Sequence, residues 1–230
     1  MAPQTVRAAA AERGLDRQPP IRRVVKAILR LYLRPFHGIE LLGIEHVPTH
    51  GPAIVVVNHA SLLDVPALML VDPFPDTATV VKASMFGMPL IGWVLRQWGA
   101  IPVEREGRDS SGVRAMLAVL RGGGVLAVAA EGRRTRSGRL ERINPVLARI
   151  ALSADVPILP VGISGSFRAL PPGAILPRPG KIVVRAGPVF RLERGIDTEA
   201  AAERIRREIA ALLPAEMQPA TEPPPLSQAN

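Results

Sequence analysis

Ala53-Ile-Val-Val-Val-Asn-His-Ala-Ser-Leu-Leu-Asp64 joins five apolar residues to a short polar turn and the start of a helical stretch. An unbroken apolar run of this length, with three consecutive valines, marks a strand buried on both faces, as in parallel sheets covered by helices. Outward from it, similar runs recur at Ile39–Ile44, Thr79–Lys82, Ala100–Val103, Val125–Ala129, Ile158–Ile163 and Lys181–Ala186. Helical patterns fall between and after them, at Leu62–Val71, Ser110–Arg121, Pro145–Ala154 and Glu199–Leu213. The alternation predicts one α/β domain over residues 37–213, a single mostly parallel mixed β-sheet flanked by helices. The Pro-rich stretch Leu170–Gly180 reads as a loop, too short to divide the domain, and no internal repeat is visible.

The ends read differently. Residues 1–20 lack the apolar core of a secretory signal and are expected to be disordered. The Pro-rich, polar stretch 214–230 is likewise expected to be a disordered tail. Between the first of these and the domain, residues 21–36 (IRRVVKAILRLYLRPF) form an amphipathic, basic helix. Ile21, Val24, Val25, Ile28, Leu29 and Tyr32 make its apolar face, and Arg22, Lys26, Arg30 and Arg34 form a cationic stripe beside it. Such a helix either lies in the headgroup layer of an anionic membrane or packs on its own domain.

Composition narrows the chemistry. The 230 residues include no Cys, which excludes a thiol nucleophile, a disulfide scaffold and Cys-based metal sites. Four His are present: His37, His46, His50 and His59. The formal net charge of +9 favours an anionic partner, yet only 3% of residues are aromatic, which argues against a single-strand nucleic-acid platform. Beyond its charge the chain has nothing to suggest nucleic-acid binding. No apolar run reaches the about 18–20 residues of a membrane-spanning helix.

His59 lies just past the end of the central strand, where functional groups gather in α/β sheets. Asp64 falls in the first helical turn and can reach back to it. A carboxylate on one ring nitrogen fixes the imidazole tautomer and lets the other nitrogen take a proton. With no Cys and no nucleophile elbow, the base would act on a hydroxyl of the substrate. The same residues also fit a capping box, Ser61 at the N-cap and Asp64 reaching back to its amide. Both readings stand together, since a carboxylate has two oxygens.

Asn58-His59-Ala-Ser61-Leu-Leu-Asp64 resembles the NHx(S)xxD motif of the PlsC-type glycerolipid acyltransferases, the 1-acyl-sn-glycerol-3-phosphate acyltransferases. The resemblance runs in order from about Leu42 to Val161. Gly43-Ile-Glu-His-Val-Pro48 with Gly51-Pro52 resembles the lead-in to the motif. Lys82, Gly87-Met-Pro89, Gly92 and Gly99-Ala-Ile-Pro-Val-Glu-Arg105 resemble the second block. Glu131-Gly132-Arg133-Arg134-Thr135 resembles the third, usually PEGTRS, and Val156-Pro157-Ile-Leu-Pro160-Val161 the fourth. The chain departs from the pattern at Ala130 (normally Pro), Arg133 (normally Thr) and Val146 (normally Gly).

The resemblance implies an acyltransferase moving a fatty acyl group from acyl-CoA or acyl-ACP to a lysophospholipid hydroxyl. The implied acceptor is 1-acyl-sn-glycerol 3-phosphate and the product phosphatidic acid. His59 and Asp64 would be the catalytic pair, with no cofactor and no metal required. Arg105 and Arg134 would hold the acceptor phosphate, since guanidinium groups grip phosphate oxygens bidentately. Glu131 and Gly132 would contact substrate or order the arginines; alternatively, Glu131 is a structural carboxylate paired to its basic neighbours. Lys82 either binds an anion or snorkels at a strand end. The stretch Met85–Trp98 would line an acyl groove, meet the membrane interface or fill the core. The implied location is the cytoplasmic face of the membrane, as a peripheral or monotopic enzyme. Arg133 leaves another lipid acceptor open, and a non-catalytic lipid-binding protein on the same scaffold is the rival from a different class.

Overall fold

The computed structural model describes residues 20–71, 77–104 and 110–219. In chain order its main elements are α1 (Pro20–His37), β1 (Glu40–Leu42), β2 (Ala53–Val57), α2 (Asp64–Val71), β3 (Thr77–Lys82), α3 (Pro89–Gln97), β4 (Ile101–Val103), α4 (Ser110–Arg121), β5 (Val125–Ala129), α5 (Pro145–Ala154), β6 (Ile158–Ser164), α6 (Ser166–Ala169), β7 (Val183–Ala186) and α7 (Thr198–Ala210). Among the described residues, seven strands form one sheet in the order β1-β7-β6-β2-β5-β3-β4. Strands β2 to β6 run parallel, whereas β7 pairs antiparallel to β6 and parallel to β1. The expected single α/β domain with a mostly parallel mixed sheet is therefore present.

The central strand explains why the apolar run could not alternate. All five residues of β2 are buried. Ile54 and Val56 face one core with Leu120, Leu147, Ile150, Ile205 and Ile209 from α4, α5 and α7. Ala53, Val55 and Val57 face the other with Leu63, Ala67 and Leu170. Period-two side-chain alternation thus feeds two apolar layers at once. Because β2, β5 and β6 are parallel, the segments leaving their carboxyl ends share one edge of the sheet. The start of β7 joins that edge, since β7 is antiparallel to β6.

Boundaries moved where apolar residues continue past a structural stop. The run Ile39–Ile44 contains a three-residue strand followed by a 3₁₀ turn, Ile44–His46. The apolar stretch Met85–Trp98 splits into a 3₁₀ turn, Ala83–Gly87, and the helix α3, started by Pro89 at its first turn. Within it, Trp98 is buried while Met88, Leu90, Ile91 and Trp93 stay exposed. Disorder does not begin at Pro214. Ala215–Met217 forms a 3₁₀ turn, Met217 is buried, and its carbonyl accepts the N–H of Leu140 at 2.8 Å. Buried Met217, together with the Gln218 carbonyl that accepts from Arg139 at 3.3 Å, ties the chain to the domain beyond Pro214. Residues 1–19 and 220–230, where the two disordered ends were expected, lie outside the described residues.

Helix α1 corrects the expected orientation of its cationic stripe. Arg22 and Lys26 are 4% and 2% exposed, whereas Val24, Ile28 and Leu31 are 54%, 61% and 78% exposed. The Arg22 guanidinium donates to the carbonyls of Trp98 at 2.9 Å and Thr77 at 3.3 Å, and lies 5.1 Å from the Trp98 ring centroid. Lys26 approaches the same ring at 6.0 Å. A carbonyl at the carboxyl end of α3, a second at the start of β3 and an indole face are what a buried cation needs. Arg22, Lys26, Leu33 and His37 consequently face the domain, and the apolar strip faces outward. Arg22 and Lys26 therefore do not reach headgroups.

Candidate active site

The carboxyl end of β2 runs into a turn held by its own side chains. The amide of Asn58 closes on one residue of β6: its Nδ2 donates to the Ile163 carbonyl at 2.9 Å, and its Oδ1 accepts the Ile163 N–H at 2.7 Å. Asn58 thus continues the β2–β6 ladder with a side chain after the backbone has turned away. Asn58→Ala leaves both Ile163 backbone groups buried and unpaired. At about 1–3 kcal/mol for each such group, the variant should lose roughly 2–6 kcal/mol of stability, measurable as a lowered urea midpoint.

His59 follows. Its Nδ1–H donates to Asp64 Oδ2 at 2.9 Å, with the imidazole 14% exposed and the carboxylate 2%. Asp64 Oδ2 also accepts the N–H groups of Ala60 and Ser61, each at 2.7 Å. Both readings of the His–Asp spacing are therefore realised on one oxygen. The capping box is only half formed, because Ser61 Oγ accepts the N–H of Leu63 at 3.2 Å, not that of Asp64. The Ser61 hydroxyl instead donates to the Leu170 carbonyl at 2.8 Å, fixing the turn to the segment after β6. Nδ1 as donor leaves Nε2 as the acceptor nitrogen of the neutral ring.

The loop after β5 grips His59 from outside. Glu131 Oε2 accepts the His59 N–H at 3.0 Å, and the His59 carbonyl accepts the Thr135 N–H at 2.8 Å. Glu131 is 8% exposed, its Oε1 has no hydrogen-bond partner among the described residues, and burial pushes its carboxyl up to about 8. Sequence reasoning put this carboxylate on its arginine neighbours or on substrate; the structure sets it on the backbone of His59. The carboxylate that pairs with Arg133 is Glu141, at 3.1 Å, and Glu141 Oε1 also accepts the Thr135 hydroxyl at 3.0 Å. Gly132 turns at φ +72°, where a Cβ would stand 2.7 Å from Asn144 Nδ2, so both conformation and space require glycine. Asn144 caps α5 and anchors the loop by donating its N–H to the Ala130 carbonyl at 2.8 Å.

Arg134 and Lys82 stand along the same edge. Arg134 is half-buried within the gripping loop, while Arg133 and Arg136 are exposed. Lys82 ends β3, two strands from β2, with an exposed side chain. Arg105, beyond β4, lies outside the described residues. The structure thus joins His59, Asp64 and Glu131 directly, and adds Asn58 and Thr135, to which sequence reasoning gave no role. Their presence in the quoted motif blocks was the only signal; partners 105 and 76 positions away along the chain left none. Among the described residues no group of three or more His, Asp or Glu is arranged to hold a metal ion.

A two-core α/β sheet with a His–Asp pair at its carboxyl edge defines the class, and comparison supplies the family. The model of the acyltransferase family matches residues 38–164, more than half of the chain, and the chain belongs to that family. It is 26% identical over 154 residues to the chloroplastic 1-acyl-sn-glycerol-3-phosphate acyltransferase LPAT1 of Arabidopsis thaliana, covering 66% of this chain and 43% of that protein. A 1-acyl-sn-glycerol-3-phosphate acyltransferase of Chlamydomonas reinhardtii is 26% identical over 188 residues, covering 80% and 55%. The chain thus spans about half the length of these curated relatives. The crystal structure of the 1-acyl-sn-glycerophosphate acyltransferase PlsC from Thermotoga maritima shares the fold, with a TM-score of 0.70 at 23% identity over 83% of this chain and 79% of that one.

Proposed function

We propose that this acyltransferase moves a fatty acyl group from a thioester, acyl-CoA or acyl-ACP, to the hydroxyl of a lysophospholipid, with 1-acyl-sn-glycerol 3-phosphate as acceptor and phosphatidic acid as product. The observation that carries the reading is the His59 Nδ1–H bond to buried Asp64, which leaves Nε2 able to take a proton. In the proposed reaction Nε2 removes the acceptor hydroxyl proton as its oxygen attacks the thioester carbonyl. The tetrahedral intermediate collapses, the C–S bond breaks, and His59 returns the proton to the thiolate. An ester and a free thiol result, and Asp64 stabilises the transient imidazolium.

A phosphate-bearing acceptor suits the loop that grips His59, because Arg134 sits within it. The extra charge of Arg133 does not argue for a different acceptor, since Glu141 already matches it. Arg134→Ala should raise KM for the phosphorylated acceptor severalfold and KM for the thioester little, because a lost phosphate contact weakens acceptor binding in ground and transition states alike. Equal rises would make Arg134 structural or carrier-binding. The reading as a whole is tested by offering the purified protein a panel of lysolipids with acyl-CoA and acyl-ACP, with products read by mass. A phosphate-free acceptor outpacing all others would overturn the acceptor, and no thiol release at all would overturn the activity.

Membrane attachment belongs to the same reading. No described helix is long and apolar enough to cross a membrane. The outward strip of α1, with Val24, Ile28, Leu31, Tyr32 and Phe36 exposed, is the surface proposed to lie in the interfacial layer.

A further inference from the structure

Two neighbouring aliphatic side chains, Ile175 and Leu176, stand 92% and 78% exposed at the tip of the loop between α6 and β7. The loop is built to hold them out. Pro171, Pro172, Pro177 and Pro179 restrict its backbone, the Ala174 N–H bonds the Pro171 carbonyl at 3.1 Å, and the Arg178 N–H bonds the Ala169 carbonyl at 2.7 Å. Exposure here is thus a property of a fixed conformation and not of a floppy segment.

Its position is equally specific. The loop joins the carboxyl end of β6 to the start of β7, on the edge of the sheet that carries His59. Its base is bonded to the catalytic turn, because Ser61 Oγ donates to the Leu170 carbonyl at 2.8 Å. Leu62, next to Ser61, is 47% exposed. The carboxyl end of α1 arrives at the same edge, where the His37 carbonyl accepts the Ile182 N–H at 3.0 Å. The catalytic turn and the loop therefore present bare aliphatic side chains, Leu62 and Ile175 with Leu176, on one edge, with Arg178 exposed in the loop and Arg34 exposed near the end of α1 that reaches it. Apolar tips among cations match an anionic phospholipid surface: chains below, charged headgroups above.

We propose that the loop 171–180 is a second bilayer contact, a rigid finger whose Ile175 and Leu176 enter the interfacial layer beside the catalytic turn while Arg178 stays among the headgroups. The inference rests on the lipid-acceptor reading and deepens it. A contact bonded to the turn that bears His59 sets the mouth of the site at the height of a lysolipid headgroup, which anchoring through α1 alone would leave free to tilt. Preorganisation by proline lowers the ordering cost of that contact.

Because the natural chain has no Cys, single-Cys variants can be labelled cleanly. An environment-sensitive dye on Leu176→Cys should shift its emission to the blue when phosphatidylcholine–phosphatidylglycerol vesicles are added. The same dye on Arg194→Cys should not. Arg194 is 93% exposed beyond Phe190, which bridges to Ile158 at the opposite edge of the sheet. The double substitution Ile175→Ser and Leu176→Ser should reduce vesicle partitioning of the full chain roughly tenfold. Its melting temperature and its thiol release with a short-chain, water-soluble acceptor should stay at the unsubstituted level. An unshifted dye at 176, or unchanged partitioning, overturns the finger. So does a defect confined to acyl-ACP, which would make the loop a carrier-protein contact. Thiol release missing from the unsubstituted chain sinks the activity alone, since dye emission and partitioning do not depend on it.

Discussion

His59→Ala should lower kcat for acyl transfer by about 10²–10⁴-fold, the range a positioned general acid–base contributes, while leaving the fold intact. The imidazole is part-exposed and, among the described residues, its ring makes one hydrogen bond, to Asp64, so little packing is lost. Asp64→Asn should be nearly as damaging to rate. An amide no longer enforces the tautomer that keeps Nε2 free to accept a proton. It differs from His59→Ala in stability, because removing the charge weakens the bonds that Asp64 Oδ2 accepts from the N–H groups of Ala60 and Ser61 at 2.7 Å. Thiol release in single-turnover mode, read beside thermal melting, separates the two effects. Retention of more than a few per cent of kcat by His59→Ala, with the protein folded, would remove the imidazole from the reaction.

The second large effect concerns Glu131 and pH. Burial, with a smaller push from the Asp64 charge, raises its carboxyl to about 8, against about 4.3 in an unfolded chain. Between those values the folded protein binds a proton that the unfolded chain has released. Stability must therefore fall as pH rises through this window, and the advantage of the neutral acid is gone above about pH 8. The amplitude is on the order of a few kcal/mol. Glu131→Gln keeps an oxygen to accept the His59 N–H and has nothing to ionise. The variant should match the parent near pH 5 and exceed it at pH 9 in urea denaturation midpoints. Glu131→Ala, lacking the acceptor, should lose kcat at every pH while Glu131→Gln keeps most of it. Parallel midpoint-versus-pH curves for parent and Glu131→Gln would show that this carboxyl does not titrate as described.

The Ala53–Val57 strand was legible because burial on two faces leaves no polar residue in the run, and His59 with Asp64 because five positions bring a strand end and a first helical turn together. The partners of His59 beyond Asp64 were not. Glu131 bonds it across 72 positions, a distance set by β2 pairing with β5. Sequence proximity pointed Glu131 toward Arg133 and Arg134, and tertiary pairing overrode it. Helix α1 was legible in part. Periodicity separated an apolar face from a cationic one, but spacing alone does not say that Arg22 and Lys26 are the residues turned to the domain. Arg22 found carbonyls and an indole on the domain that a solvent-facing arginine could not use. The strip Val24–Ile28–Leu31 was left outward as a result.

Because both backbone groups of His59 are spoken for by residues 131 and 135, the segment that carries Arg133 and Arg134 is not a module that can be exchanged by itself. A chimera importing a relative's loop to alter headgroup preference would inherit a new cradle for the imidazole along with the new charges. Retaining Glu131 and Thr135 while varying only 133, 134 and 136 is the recombination rule that follows: the two fixed residues preserve the base, and the three between and beyond them are free to be redesigned.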